Sequence, residues 1–514
     1  MTEPLFVTAD HKRIGRMQIV LSLVLMGVAG AAAVALRIQA AGGTIKHLDA
    51  LTSLDNALVG VFVVLPLWFG IATAIAPLQI GTNKLAFPKL SAVALWLYVG
   101  GAAMVIAGYT QSPAPSSGRT VFDGVPLPGS LAKLANTKGA DLLVLGMLLG
   151  AVATTLMAVN LVTTISSRRA HGLTIARLPY FSWSVLVGGI GVLLATPVFI
   201  AGLTLVWIDQ HFGGSFFTST AANAFWTHAI WLGGRPEALL GSVFLLGAGS
   251  DIIATATGKK NELDMVTRAG IAGLATFAFV VWTGGANDAG SPIAPFFNFG
   301  MALPVIAGGI VVLTWAAQLR HGVKAIPALV PLVLTLAMGV LALGHAALVF
   351  THDFVEGTGW SETSVFFFAV VIPVVGAVAA LVHWAPKLVG GPMPSAAAGL
   401  SSLAIAGGAA LLVASGSLLG ANGAPDFARV WATEDNHGGL AILGAVGIGV
   451  FALGMLVLAA GFAGARNKAG AADPYGTGVT LEWAAPSPPP PHNFDSVPDV
   501  TSETPLLVAT GAAQ

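Results

Sequence analysis

Long, uninterrupted apolar runs recur along almost the whole of this 514-residue chain, each near or above the roughly 20 residues that carry a helix across a bilayer. Runs near 17–40, 56–81, 90–110, 140–167, 182–207, 225–256, 268–286, 299–319, 325–351, 363–386, 396–421 and 438–465 predict twelve spanning helices. They are continuous rather than alternating, which argues against spanning strands, and in lipid only helices or closed barrels satisfy every backbone group. The expected fold is therefore all-α, a polytopic integral membrane protein. Composition agrees: 55% of residues are hydrophobic and 9% charged, against roughly 25% charged in a soluble chain. The first residues are polar and the first apolar run is followed by another span, so no cleavable signal is expected. The predicted organisation is a short N-terminal segment at 1–16, a membrane domain at 17–465 and a Pro-rich tail at 466–514.

Cations orient the bundle, because short cytoplasmic loops collect Lys and Arg. One set of alternate loops holds most of the 23 cations, among them Lys12, Arg13, Lys84, Arg168, Lys259, Lys260, Arg320 and Arg466. The other set holds Arg37, Lys46, Arg119, Lys133, Lys138 and Arg429, and Arg235 stands alone inside a span. Both termini are thus expected on the cytoplasmic side of a bacterial plasma membrane. A formal net charge of zero gives no sign of nucleic acid as a partner. The absence of cysteine excludes disulfides, iron–sulfur clusters and thiolate metal sites.

Three junctions read together. PLQIGTNKLAFPKL follows the second run, with LWLYVGG soon after; VNLVTTISSRRAHGLTIARLPYFSWS joins the fourth and fifth; the tail reads TLEWAAPSPPPPHNFDSVP. In order and spacing, from about Asp10 to Glu503, these resemble subunit I of the haem–copper terminal oxidases, specifically bacterial cytochrome c oxidase. The resemblance implies a twelve-helix bundle with two haems and one copper ion held by six histidines, transfer of electrons from cytochrome c to oxygen with proton pumping, and subunit II-like and subunit III-like partners beside membrane lipid. Imidazole suits both haem iron and copper.

The eleven histidines fall elsewhere. Counting back from PLQIG places the second-span ligand of the family on Asp55. The family's Trp-Ala-His-His reads VWTGGAND here, with Gly284 and Gly285 at the paired positions. Counting back from WAPK places the tenth-span ligands on Ser364 and Phe366, and no histidine occurs from 353 to 382 under any register. The sixth-span Gly-His-Pro-Glu-Val-Tyr is similar to Gly-Arg-Pro-Glu-Ala-Leu, so Arg235 takes a copper-ligand position and Leu239 that of the cross-linked tyrosine. A guanidinium stays protonated and offers no lone pair.

The proton-path positions of the family change as well. Lys84 stands for the aspartate at one path entrance, with Ser91 and Ala92 for the paired asparagines; Val311 stands for the lysine of the other path, and Gly308 for its threonine. Glu237, Asn160 and Thr163 are kept, while the arginines that bind haem propionates fall on Asp426 and Phe427. Arg235, costly inside a membrane unless paired, is expected to pair with Asp288, or with Asp55. His228, His345 and His383 are read as satisfied structural histidines, with a rearranged haem on His228 and His345 as the alternative. From these positions the expectation is a non-catalytic subunit I homologue without cofactors, serving as a structural or assembly subunit. The alternatives are an active cytochrome c oxidase subunit I, and a binder or transporter of a lipid, quinone or small solute in the former haem cavity.

Overall fold

Chain entry into the bundle is set by local capping. Asp10 accepts a hydrogen bond from Lys12 N and starts α1 (His11–Ala40), as expected for a short acceptor side chain at a helix N-terminus. A π-helical turn at Leu58–Val63 leads into α2 (Val64–Gln79). Next come α3 (Pro88–Tyr109), opened by proline, and α4 (Lys138–Ser167), capped by Thr137 on Ala140 N. They are followed by α5 (Tyr180–Phe212), α6 (Thr220–Thr257), α7 (Asp264–Phe277), α8 (Leu303–Leu319) and α9 (Leu329–Thr351). A tenth helix, α10 (Gly359–Phe366), capped by Thr358, passes through a second π-helical turn at Phe367–Val371 into α11 (Ile372–Val389). The bundle closes with α12 (Ser395–Ala421) and α13 (Gly438–Ala465), and a short α14 (Pro505–Ala509) ends the tail.

The computed structural model describes residues 8–42, 51–115, 137–212, 220–280, 300–351, 358–423 and 438–509, apart from isolated positions, and omits the side chains of 210, 220–238, 349–351, 361, 362, 508 and 509. Among the described residues ten helices are long and apolar enough to cross a membrane. The expected seventh and eighth spans appear as α7 and α8, of 14 and 17 residues, with residues 281–299 between them outside the described set. No strand forms among the described residues; backbone pairing outside helices amounts to isolated bridges such as Gly390 with Arg466.

Every residue of α2 is buried, and α11 is buried from Ile372 to Leu388, so these two helices form the axis around which the others pack. At Gly241 on α6 an added Cβ would lie 3.0 Å from both Pro373 of α11 and Val64 of α2. These three helices therefore meet with no room for a side chain. The tail folds back on one end of the bundle, where Lys387 Nζ donates to Ala472 O (2.8 Å), Ala485 O (2.6 Å) and Ser487 Oγ (3.0 Å).

Candidate functional site

Both π-helical turns lie just beyond positions where the resemblance places haem ligands. Leu58–Val63 follows Asp55, and Phe367–Val371 follows Ser364 and Phe366. An extra residue in a helical turn leaves a carbonyl without its usual partner, and such turns concentrate at functional sites. At the first turn the Tyr98 hydroxyl donates to Phe62 O at 2.5 Å and bonds Ser22 Oγ at 2.9 Å. The local departure is thereby built into three helices rather than left as a defect.

At the second turn, His345 of α9 lies between two hydroxyls. Nδ1 is 2.6 Å from Ser364 Oγ and Nε2 is 2.6 Å from Ser417 Oγ of α12. Ser417 donates its hydrogen to Val413 O at 2.7 Å, so it must accept from Nε2–H. A buried ring with no carboxylate bonded to it is held neutral, so Nδ1 accepts from Ser364 and the imidazole is the Nε2–H tautomer with no lone pair to spare. The ring stacks on Trp360 at 4.2 Å between centroids and 6° between planes. Ser364 and His345, as arranged, do not fit a haem iron.

Asp55 feels the charge of Arg37 on α1, whose guanidinium donates to Ala33 O at 2.9 Å and is almost fully buried. Among the described residues the charge acting on Asp55 is Arg37; the expected pairing of Asp55 or Asp288 with Arg235 involves a side chain outside the described set. Sequence reasoning counted Arg37 merely as a loop cation. A usable signal was its place within the first apolar run, one helical length from the polar N-terminus.

The proton-path positions are also placed. Lys84 is exposed. Val311 is fully buried in α8, and a Cβ on Gly270 of α7 would meet its methyl at 2.6 Å. Asn160 holds the loop before α3: Nδ2 donates to Phe87 O (2.9 Å) and Ser91 Oγ (2.6 Å), and Oδ1 accepts from Phe87 N (3.0 Å). Thr164, one turn on, accepts from Ala86 N. A small cavity beside them is lined by Gln18, Thr73, Ser91, Met157 and Asn160. Phe366 is half-buried and Ser364 buried. His383 is buried among aromatic rings, stacked on Tyr475 and edge-on to Trp384 and Trp483. Gly284, Gly285 and Asp288 lie outside the described residues; so do the side chains of Arg235, Glu237 and His228, all on α6. Among the described residues no cluster of three or more His, Cys, Asp or Glu could hold a metal ion.

The family described as "Cytochrome C and Quinol oxidase polypeptide I" matches residues 13–447. A "Probable cytochrome c oxidase subunit 1-beta" of Nocardia farcinica is 29% identical over 97% of this chain and 87% of its own. A "Heme-copper oxidase subunit I+III" of Aeropyrum pernix is 29% identical over 98% of this chain and 63% of its own. A "Quinol oxidase subunit 1" of Bacillus subtilis is 25% identical over 97% and 79%. In fold, the chain resembles a heme-copper terminal oxidase dimer solved by cryo-EM, with a TM-score of 0.69 at 14% identity, covering 98% of this chain and 89% of that one.

These likenesses overturn the expectation that no cofactor belongs to this chain, since the family and the relatives that match 97–98% of this chain are named as cytochrome c, quinol and heme-copper oxidases. The expectation went too far because six counted positions do not exhaust the donors. His47, His228, His352 and His437 lie outside the described side chains, and haem is also held by apolar burial. The apolar spans and the relatives identify a multi-pass plasma-membrane protein whose relatives are named as oxidase subunits. With more than half its length matched, the chain belongs to the cytochrome c and quinol oxidase polypeptide I family.

Proposed function

We propose that the chain works as subunit I of a cytochrome c oxidase-type respiratory complex, contributing to electron transfer from cytochrome c to oxygen with proton pumping. The observation that carries this reading is family membership across residues 13–447, and the π-helical turns beside Asp55 and Ser364 support it. The partners in this reading are subunit II-like and subunit III-like chains. The relative that joins I and III in one polypeptide favours a III-like neighbour. Both termini lie on the cytoplasmic side, with twelve spans in all.

A second reading, a non-catalytic structural or assembly subunit, is favoured by the residues at the ligand positions. Ser364 is committed to His345, Asp55 lies within the field of Arg37, and Arg235, Gly284 and Gly285 stand where the resemblance places histidines. In this reading Arg235 is a fixed cation tied to Asp288. The experiment is purification from native membranes with bound partners, followed by the visible spectrum, iron and copper content, and oxygen uptake driven by reduced cytochrome c. Stoichiometric metals with oxygen uptake are the expected result; a fully assembled complex without oxygen uptake overturns the first reading in favour of the second.

A further inference from the structure

The tail carries a carboxyl group into the interior. A short 3-10 turn at Leu481–Ala484 places Glu482 at 0% exposure against Gln79 at the end of α2 and Trp384 of α11. Gln79 Nε2 spends one hydrogen on Asp251 Oδ2 at 2.8 Å and the other on Glu482 Oε1 at 3.0 Å. Its own oxygen accepts from Ser182 N (3.1 Å) and Ser182 Oγ (2.7 Å), so the amide cannot be turned round.

The two carboxyl groups are not equivalent. Asp251 of α6 accepts from Tyr180 N (3.0 Å), Phe181 N (3.1 Å) and Gln79. It thus caps the start of α5 from another helix, with the donor set and helix-end field that favour a carboxylate. Glu482 accepts at Oε1 from Gln79 and from Trp384 Nε1 at 3.3 Å, and the Thr480 hydroxyl and its own backbone N–H also favour its ionised form. Its Oε2 is buried with no hydrogen-bond partner among the described residues.

The nearby cation Lys387 makes no hydrogen bond to Glu482, and only its charge reaches the carboxyl group. Lys387 spends its three hydrogens on Ala472 O, Ala485 O and Ser487 Oγ. Asp473 accepts from Tyr475 N and Gly478 N, and the Tyr475 hydroxyl donates to His383 O. A buried carboxylate with an unbonded oxygen and no direct ion pair is disfavoured, and such a group takes up a proton instead.

We propose that Glu482 is a proton-binding site, neutral when the tail is docked, and that its proton fastens residues 479–487 to the bundle. Burial pushes the Glu482 carboxyl above the ordinary carboxylate value, so docking takes up a proton whenever the free tail carries the ionised form. Below the ordinary value both forms are protonated and docking is independent of pH. Above it the contribution of Glu482 to docking falls roughly tenfold per pH unit until the docked group itself ionises. The site does not depend on the oxidase reading.

The test uses the full-length protein in detergent. Infrared spectra should show a protonated carboxyl C=O band that disappears in Glu482→Gln and in the wild type at high pH. Hydrogen exchange in 479–487, corrected for intrinsic rate, should lose protection with rising pH in the wild type. In Glu482→Gln protection should stay level and exceed the wild type at alkaline pH. Absence of the band in the wild type overturns the proposal even if the variant fails to fold; an unchanged pH dependence in a folded Glu482→Gln protein also overturns it.

Discussion

Replacing His345 with leucine separates a structural histidine from a haem ligand. The ring makes two hydrogen bonds of 2.6 Å and one parallel stack. Losing the Ser417 contact is cheap, because that hydroxyl keeps its bond to Val413 O. Losing the Ser364 contact leaves a buried donor without its acceptor, at about 1–3 kcal/mol. The stack on Trp360 contributes about 0.5–1.5 kcal/mol. His345→Leu should therefore destabilise the bundle by roughly 2–4 kcal/mol. The added Ser364→Ala should recover part of that by removing the orphaned hydroxyl, giving a coupling of about 0.5–3 kcal/mol. The assay is reversible unfolding in mixed micelles followed by tryptophan fluorescence, run beside the visible spectrum of the folded variant. A folded His345→Leu protein that has lost a haem absorption present in the wild type would refute the hydrogen-bond assignment; so would a double variant showing no recovery.

Two further outcomes follow from packing and charge. Gly408→Ala should push α12 and α13 apart, because the new Cβ would lie 2.4 Å from Phe451 N and 2.5 Å from Gly447 O; the expected loss is about 1–3 kcal/mol. Gly407→Ala, with nothing within 4 Å, should be neutral or slightly stabilising in the same unfolding measurement. Glu503 is pushed up by burial, but hydrogen bonding and charge from Lys260 outweigh this and hold it below the ordinary value. Its contribution is present above the ordinary carboxylate value and fades as pH falls through the depressed one. Lys260 is 60% exposed, so the contribution is under about 1 kcal/mol, and Lys260→Met should flatten this acid-side loss of exchange protection near 500–506.

What could be read from the sequence was what bilayer physics imposes residue by residue. An apolar run must become a helix in lipid, so α1 to α6 and α9 to α13 fall close to the runs that announced them. The junction motifs named the family for a related reason: loops such as PLQIGTNKLAFPKL are held by specific side chains. Asn160 and Thr164, on a different span, bind the backbone of Phe87 and Ala86. What could not be read is what two distant segments do to each other. Among 64 glycines, nothing local marks Gly408 as a backbone contact and Gly407 as open, because the difference lies in the face that α13 covers. Ser364 was read as a lost ligand and His345 as a satisfied core histidine on separate spans. Their 2.6 Å contact makes each the explanation of the other. Glu482 sat in plain view in TLEW, where it served to mark the resemblance. Its chemistry depends on Gln79 and Asp251, 403 and 231 residues away, and on a turn that buries it; a lone acid between leucine and tryptophan was the signal. The same logic bears on the metals. Ligand positions counted along a chain describe single residues, whereas a coordination site is a juxtaposition, and at Ser364 the juxtaposition is with His345, which turns its other nitrogen to Ser417.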